Sequence, residues 1–223
     1  MARILVIIPA AGTGSRFGGD VPKQFQPLAG KPILQHVIER FLHHDDVVRI
    51  VVAVSEQLLA VVSQTPQDRV LFVAGGSTRL QSVTQAFRVP GEEFDLVAVH
   101  DAVRPFFADA TFRNVLAAAE DAGAALPAIS VADTVHAVRD NAIDLTLDRR
   151  SLVAAQTPQC FRYEVLREVL EKAGRDSEEA TDEAGLATRY GFTARVVAGD
   201  SLNFKITRPD DLALAEAIYS RFG

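Results

Sequence analysis

The sequence predicts an α/β fold: one mainly parallel sheet with helices on both faces. Three observations carry the prediction. Aliphatic runs recur at Ile4–Ile8, Val47–Val54, Val70–Val73, Leu96–Val99 and Ala124–Val131, with little polar alternation, as strands buried on both faces require. Amphipathic stretches of helical period lie between them, the pattern of βαβ units with short connections. A glycine-rich loop follows the first run directly, where such sheets bind ligands.

Taken in order, the first strand stops at Pro9. Pro32 suits a first helical position, and Ile33, Val37, Ile38, Phe41 and Leu42 then form one apolar stripe. Leu80, Val83 and Phe87 repeat that stripe after Gly75-Gly76, with Ser77 placed as an N-cap. Asp109 is a candidate N-cap for a helix that ends near Gly123, a residue suited to C′. Residues 132–155 break the pattern: many charges and short alternating pieces such as Thr134-Val-His-Ala-Val predict a hairpin-like arm projecting from the domain, towards a partner subunit. LNFKITRP reads as a last strand, and Thr207 with Asp210 makes a capping-box pattern before the apolar-periodic Leu212–Phe222. Without linkers, repeats or low-complexity tracts, residues 1–223 read as a single domain with an arm at about 132–155.

Composition excludes several classes of function. A net charge of −6, from 23 basic and 29 acidic residues, argues against a nucleic-acid binder, so any anion must be captured locally. Cys160 is the only cysteine, which excludes a disulfide framework and a cysteine-rich metal site. The apolar run before Pro9 is too short for a signal peptide, and no stretch approaches the ~20 apolar residues of a membrane span. A soluble, cytoplasmic protein without membrane partners is expected.

The strongest chemical signal is PAAGTGSRFGGDVPKQF, Pro9 to Phe25. Glycines at 12, 14, 18 and 19 let backbone approach a ligand and form an anion-binding concavity. Residues 1–31 carry Arg3, Arg16, Lys23 and Lys31 against the lone Asp20, a local excess of positive charge suited to a triphosphate. A ligand-free glycine turn would explain the glycines, but not Arg16 together with Pro22-Lys23. A dinucleotide fingerprint fails because Phe17 stands where its third glycine belongs, and no G-K-[ST] completes a Walker loop. Asp101 follows the strand Leu96–Val99, at the carboxyl end where open sheets bind ligands. Taken alone it suits Mg²⁺ and a helix cap or an Arg104 ion pair about equally. Lys205 lies amid apolar neighbours, so it faces a ligand or partner, or else the polar side of an edge strand. The Asp-Arg-Arg run at 148–150 reads by itself as solvated surface. The five histidines form no metal set.

PAAGTGSRFGGDVPKQF, GGSTRLQSV at Gly75–Val83, HDAVRP at His100–Pro105, QTPQ at Gln156–Gln159, TDEA at Thr181–Ala184 and FKITRPDDL at Phe204–Leu212 occur in that order. Together they resemble the 2-C-methyl-D-erythritol 4-phosphate cytidylyltransferase family over essentially the whole chain. The resemblance implies a Rossmann-like nucleotidyltransferase domain that transfers CMP from CTP to a small sugar-alcohol phosphate. It implies Mg²⁺ on Asp101, and Arg16 and Lys23 on the triphosphate, with Lys205 on the α-phosphate. The nucleotide would lie against Ala10, Ala11, Gly12, Gly14, Gly76 and Ser82. The acceptor would meet Ala102, Arg104, Thr157 and Thr181, together with Thr134 and Arg149 carried by the arm into the other subunit of a homodimer. The family often has an acid where this chain has Ser77. Since the chain ends just after its last helix, no fused second enzyme is expected. Rival readings are a cytidylyltransferase acting on D-ribitol 5-phosphate, a sugar-1-phosphate nucleotidyltransferase, a non-catalytic nucleotide-binding module and a nicotinamide oxidoreductase. The broken fingerprint disfavours the last. The joint presence of Arg16, Lys23, Asp101 and Lys205 disfavours the binding module.

Overall fold

The computed structural model describes residues 2–12, 17, 21–62, 68–88, 92–176 and 180–222, the side chains of 61, 62, 221 and 222 excepted. The chain runs through β1 (Ile4–Pro9), β2 (Pro27–Leu28), β3 (Lys31–Pro32), α1 (Ile33–Leu42), β4 (Val47–Val54), α2 (Glu56–Val62) and β5 (Val70–Ala74). Next come α3 (Arg79–Phe87), β6 (Leu96–Val99), α4 (Asp109–Ala122), β7 (Ala124–Ser130), β8 (Val135–Arg139), β9 (Ala142–Leu147) and β10 (Val153–Ala155). β11 (Gln159–Arg162), α5 (Tyr163–Asp176), α6 (Glu183–Arg189), β12 (Ala194–Ala198) and α7 (Pro209–Phe222) complete it.

The main sheet has the order β10-β7-β11-β6-β1-β4-β5, with β12 pairing β7. β1 is parallel to β4 and β6, β4 to β5, and β12 to β7. β10 and β11 are antiparallel to β7, and both meet the edge opposite β12. They act as one strand interrupted at Gln156-Thr157-Pro158, directly beside the carboxyl end of β6. This is the predicted mainly parallel sheet, and all five aliphatic runs are strands within it.

Alternation in β1 shows why those runs lack polar residues. Ile4, Val6 and Ile8 pack into one buried cluster with Leu34, Val37 and Phe41 of α1 and Phe112 and Val115 of α4. Leu5 and Ile7 pack on the opposite face with Val83 and Phe87 of α3 and Leu166 and Val169 of α5. Successive side chains point to opposite faces, and here both faces are covered. A third cluster (Leu28, Ile33, Val103, Ile206 and Ala215) seats α7 beneath the segment that carries Lys205.

Local assignments shift in five places. Pro32 is still extended, because it pairs with Pro27 across a tight turn at Ala29 (φ 48°) and Gly30 (φ 81°), so the helix opens at Ile33. Asp109 is the first helical residue rather than the cap. Ala108 is the extended N-cap, while Asp109 holds Arg40 at 3.3 Å beside the positive end of the dipole. Thr78, not Ser77, caps α3 by accepting from the Gln81 N–H, and Ser77 instead donates from N–H and Oγ to Gln81 Oε1. The box at α7 closes on Asp211 rather than Asp210: Pro209 opens the helix, so Asp211 is third, and its Oδ2 accepts from the Thr207 and Arg208 N–H groups at 2.8 and 2.9 Å. The run around Lys205 is not a strand. A backbone hydrogen bond from Ile206 N–H to Val103 O, 3.0 Å, ties it down, and the last strand is the half-exposed β12.

The hairpin at residues 135–147 is present and stands off the sheet, pairing only with itself. Its side chains Val138, Ile143 and Leu145 are 62%, 65% and 58% exposed.

Candidate active site

The break between β10 and β11 faces the end of β6, and a chain of polar groups joins them. His100 is fully buried, and burial lowers its pKa to about 3, so the ring is neutral. Its Nε2 lies 3.0 Å from Arg104 O, which can only accept, so Nε2 carries the proton. Nδ1 therefore accepts from the Thr157 hydroxyl at 3.0 Å, and Thr157 Oγ1 in turn accepts from the Asp101 N–H at 3.1 Å. Asn203 closes the ring: Nδ2 donates to Thr157 O at 2.8 Å, and its own carbonyl accepts from Arg104 Nη1 at 2.7 Å. Three segments distant in sequence are thereby fixed around Asp101.

The Asp101 carboxylate is the hub of this wall. Lys205 Nζ sits 3.0 Å and Arg104 Nε 3.1 Å from Oδ2, and Arg79 Nε lies 3.7 Å from Oδ1. Burial alone would push its pKa up, but Lys205, Arg79 and Arg104 outweigh it and hold the carboxyl well below the usual range. Asp101 stays ionised under all physiological conditions.

Two cavities open on this wall. One, of about 200 Å³, lies between Ala10, Ala11, Gly12 and Lys23 on one side and Gly76, Ser82 and Ala102 on the other. The second, of about 220 Å³, is lined by Arg104, Thr157 and Thr181, with Gln159 and Asp182 beside them. Arg79, Asp101 and Lys205 belong to both. An anion in each cavity would meet its neighbour across two cations and one carboxylate.

The structure thus brings together Ala10, Ala11, Gly12, Lys23, Gly76, Ser82, Asp101, Ala102, Arg104, Thr157, Thr181 and Lys205. Gly14 and Arg16 lie outside the described residues. Thr134 and Arg149 are exposed and line neither cavity, and the Arg149 guanidinium donates to Ala132 O at the base of the arm. Two hydroxyls have structural partners already: Thr157 as above, and Ser82, whose Oγ accepts from Gly76 N–H at 3.1 Å and donates to Thr78 O at 3.0 Å. The chain packs tightly against the backbone at glycines 75 and 76. A Cβ on Gly75 would come within 2.5 Å of Ala11 Cβ, and one on Gly76 within 2.3 Å of Gln81 Cβ.

Sequence reasoning missed three participants. Gln24, buried, donates from Nε2 to Ala10 O at 2.7 Å and Gly12 O at 3.0 Å, fixing the start of the glycine loop. Arg79 bonds through Nη1 to both oxygens of buried Glu183, at 2.6 and 2.7 Å. Burial raises the Glu183 carboxyl above its ordinary value against the pull of Arg79. The available signal was an acid, Glu183, opening the apolar stretch Ala184–Ala187 in one motif, and a base, Arg79, in another.

The family model for 2-C-methyl-D-erythritol 4-phosphate cytidylyltransferase matches residues 4–221. The chain is 38% identical to the enzyme of that name from Carboxydothermus hydrogenoformans, over 100% of this chain and 97% of the relative. It is 40% identical to that from Haemophilus influenzae strain PittEE, over 99% of each. Among solved structures, that of the Thermus thermophilus enzyme superposes with a TM-score of 0.83 at 34% identity, covering 98% of this chain and 99% of the other. The Francisella tularensis structure gives 0.86 at 30% identity, covering 97% and 99%.

Proposed function

The chain belongs to the 2-C-methyl-D-erythritol 4-phosphate cytidylyltransferase family, and from that premise we propose how its joined cavities carry out the family's reaction. The enzyme transfers CMP from CTP to 2-C-methyl-D-erythritol 4-phosphate, giving 4-diphosphocytidyl-2-C-methyl-D-erythritol and pyrophosphate. The observation that carries the mechanism is the shared wall of Asp101, Lys205 and Arg79.

CTP occupies the first cavity, with its triphosphate against the glycine loop, Arg16 and Lys23, and its base and ribose towards Gly76 and Ser82. The acceptor lies in the second, against Arg104 and Thr181. An oxygen of the acceptor phosphate attacks the α-phosphorus, and the bond to the β-phosphate oxygen breaks, so pyrophosphate leaves with the electron pair. The attacking phosphate is already largely dianionic at neutral pH, its second pKa being about 6, so no general base is required. The barrier is repulsion between anions, which positioned cations lower. Lys205, on the wall between the cavities, holds the α-phosphate. Lys23 and Arg16 stabilise charge on the reacting and leaving groups.

The residues fit a divalent cation, magnesium in this reading. Asp101 is an ionised carboxylate facing both cavities, and among the described residues no cluster of three or more His, Cys, Asp or Glu side chains forms a protein cage. That suits Mg²⁺, which takes one or two carboxylates and completes its shell with water and phosphate. When bound, it would offset the triphosphate charge. We further propose a cytoplasmic homodimer in which the exposed hairpin packs on a second copy and carries Thr134 and Arg149 to that copy's acceptor cavity. No helix among the described residues is long and apolar enough to cross a membrane.

The test is pyrophosphate release with CTP and Mg²⁺, comparing methylerythritol 4-phosphate with D-ribitol 5-phosphate. Release only with the first is expected. Release only with ribitol phosphate would reassign the acceptor, and release with neither would overturn the reading.

A further inference from the structure

We propose that Arg79 is a catalytic residue that grips a phosphate oxygen where donor and acceptor meet, and that Glu183 is the residue that positions it. The inference rests on the reaction assigned above and adds a residue pair to it. Arg79 is the first residue of α3 and Glu183 the first of α6, so the pair ties together two helices on one face of the sheet. A brace between helices would satisfy that description. Three further observations go beyond a brace.

First, Arg79 lines both cavities, a position shared only with Asp101 and Lys205 among the described residues. Second, a guanidinium has five N–H donors in a rigid fork. Both Glu183 oxygens are bonded by the single nitrogen Nη1, so Nε–H and the two Nη2–H donors have no hydrogen-bond partner among the described residues. Nε faces the hub, 3.7 Å from Asp101 Oδ1, close enough for attraction and too far for a hydrogen bond. Third, Glu183 is 1% exposed, and an acid that deep is costly unless it fixes a charge. Its burial makes the guanidinium's orientation rigid, as electrostatic preorganisation requires. Asp182 beside it has other work: Oδ1 caps α6 at Gly185 N–H and Oδ2 accepts from Gln159 Nε2.

The unused edge of the fork is matched to a phosphate oxygen, because planar donors bind phosphate bidentately. Such a contact is worth most where charge builds up during transfer, which is at the shared wall.

The experiment measures kcat and KM for both substrates in Arg79→Gln, Arg79→Lys, Glu183→Gln and the double variant Arg79→Gln/Glu183→Gln, with circular dichroism melting for each. Arg79→Gln is expected to lower kcat by ~100-fold while either KM moves by less than ~10-fold. Arg79→Lys should recover only part of that loss, since a point charge does not replace the fork. Glu183→Gln should lower kcat by ~10-fold in the wild-type background and by about twofold or less in the Arg79→Gln background, because its effect runs through Arg79. The proposal is overturned if Arg79→Gln keeps kcat within about threefold of wild type, or if Glu183→Gln costs the same in both backgrounds. Should Arg79→Gln lack a native melt, Arg79→Lys decides: a native melt with kcat within about threefold of wild type overturns the proposal, and a loss of ~10-fold or more supports it. Wild-type protein inactive with CTP and methylerythritol phosphate would instead sink the assigned reaction.

Discussion

The Asp101 wall and the β8–β9 hairpin are opposites in how their residues are explained. At the wall the charged side chains are paired within the chain. Asp101 has three cations, His100 has Thr157 and Arg104, and Arg79 has Glu183. On the hairpin, Val138, Ile143 and Leu145 lie in the open, and Thr134 and Arg149 at its base line neither of the two cavities. Exposed apolar side chains grouped on one projecting element mark an interaction surface. A self-contained region reveals its chemistry in one chain, whereas the purpose proposed for the hairpin's residues needs a second copy.

Substitutions can break this contrast at its strong end first. Asp101→Asn is nearly isosteric and should lower kcat by ~100-fold or more with the native circular dichroism spectrum retained. Near-normal turnover would reduce Asp101 to an ion-pair partner. Lys23→Ala should lose ~100-fold in turnover, as removal of a preorganised cation does, and unchanged kinetics would remove it from the site. For the hairpin, mixing Asp101→Asn with Arg149→Ala after joint dissociation is informative. If each site draws on both copies, half the random dimers are hybrids with one intact site of two, and roughly a quarter of wild-type activity should return. Absence of any recovery would confine Arg149 to its own chain. Leu145→Glu should shift sedimentation towards the monomer while changing the folding free energy of that monomer by no more than about 0.5 kcal/mol, as an exposed substitution does.

The smallest effect returns to the wall. The folded pKa of His100 is lowered to about 3, below its unfolded value of about 6.5. Between those values the unfolded chain binds the extra proton, so stability falls as pH drops from about 6.5 towards 3. His100→Gln removes that titration, and its melting temperature should decline less steeply over the same range. Parallel slopes for the two proteins would show that His100 does not contribute to the acid sensitivity.

How much of this was legible in the sequence follows the same division. The parallel strands were, because a strand covered on both faces must be aliphatic throughout, as in Ile4–Ile8. LNFKITRP misled because its alternation arises from loop residues docking on the small cluster around Ile206, while β12, with exposed Arg195 and Val196, gave a weak pattern. Caps were off by one residue at Asp109, Ser77 and Asp210: Asp109 pairs with Arg40 and leaves apolar Ala108 as the cap, and at the other two sites the adjacent Thr78 and Asp211 make the local capping bonds. Lys23 stands out beside a glycine-rich loop and Asp101 at a strand end, whereas Lys205 is conspicuous only for its apolar neighbours and gets its phosphate role from the family resemblance. Arg79 and Glu183 do not stand out, since their meaning is a contact across 104 positions. The two engaged hydroxyls, of Ser82 and Thr157, could be told from ligand-facing ones only in three dimensions.

The sharing of Arg79, Asp101 and Lys205 between the cavities has a thermodynamic consequence. With the substrates placed as proposed, a triphosphate that drew Lys205 away from Asp101 would change the field in which the acceptor arrives, so the two would not bind independently. Linkage requires the effect to be mutual: whatever factor CTP imposes on the acceptor's affinity, the acceptor imposes on that of CTP. Order of addition, synergy between substrates and the response to inert anions all become properties of one carboxylate and the cations around it.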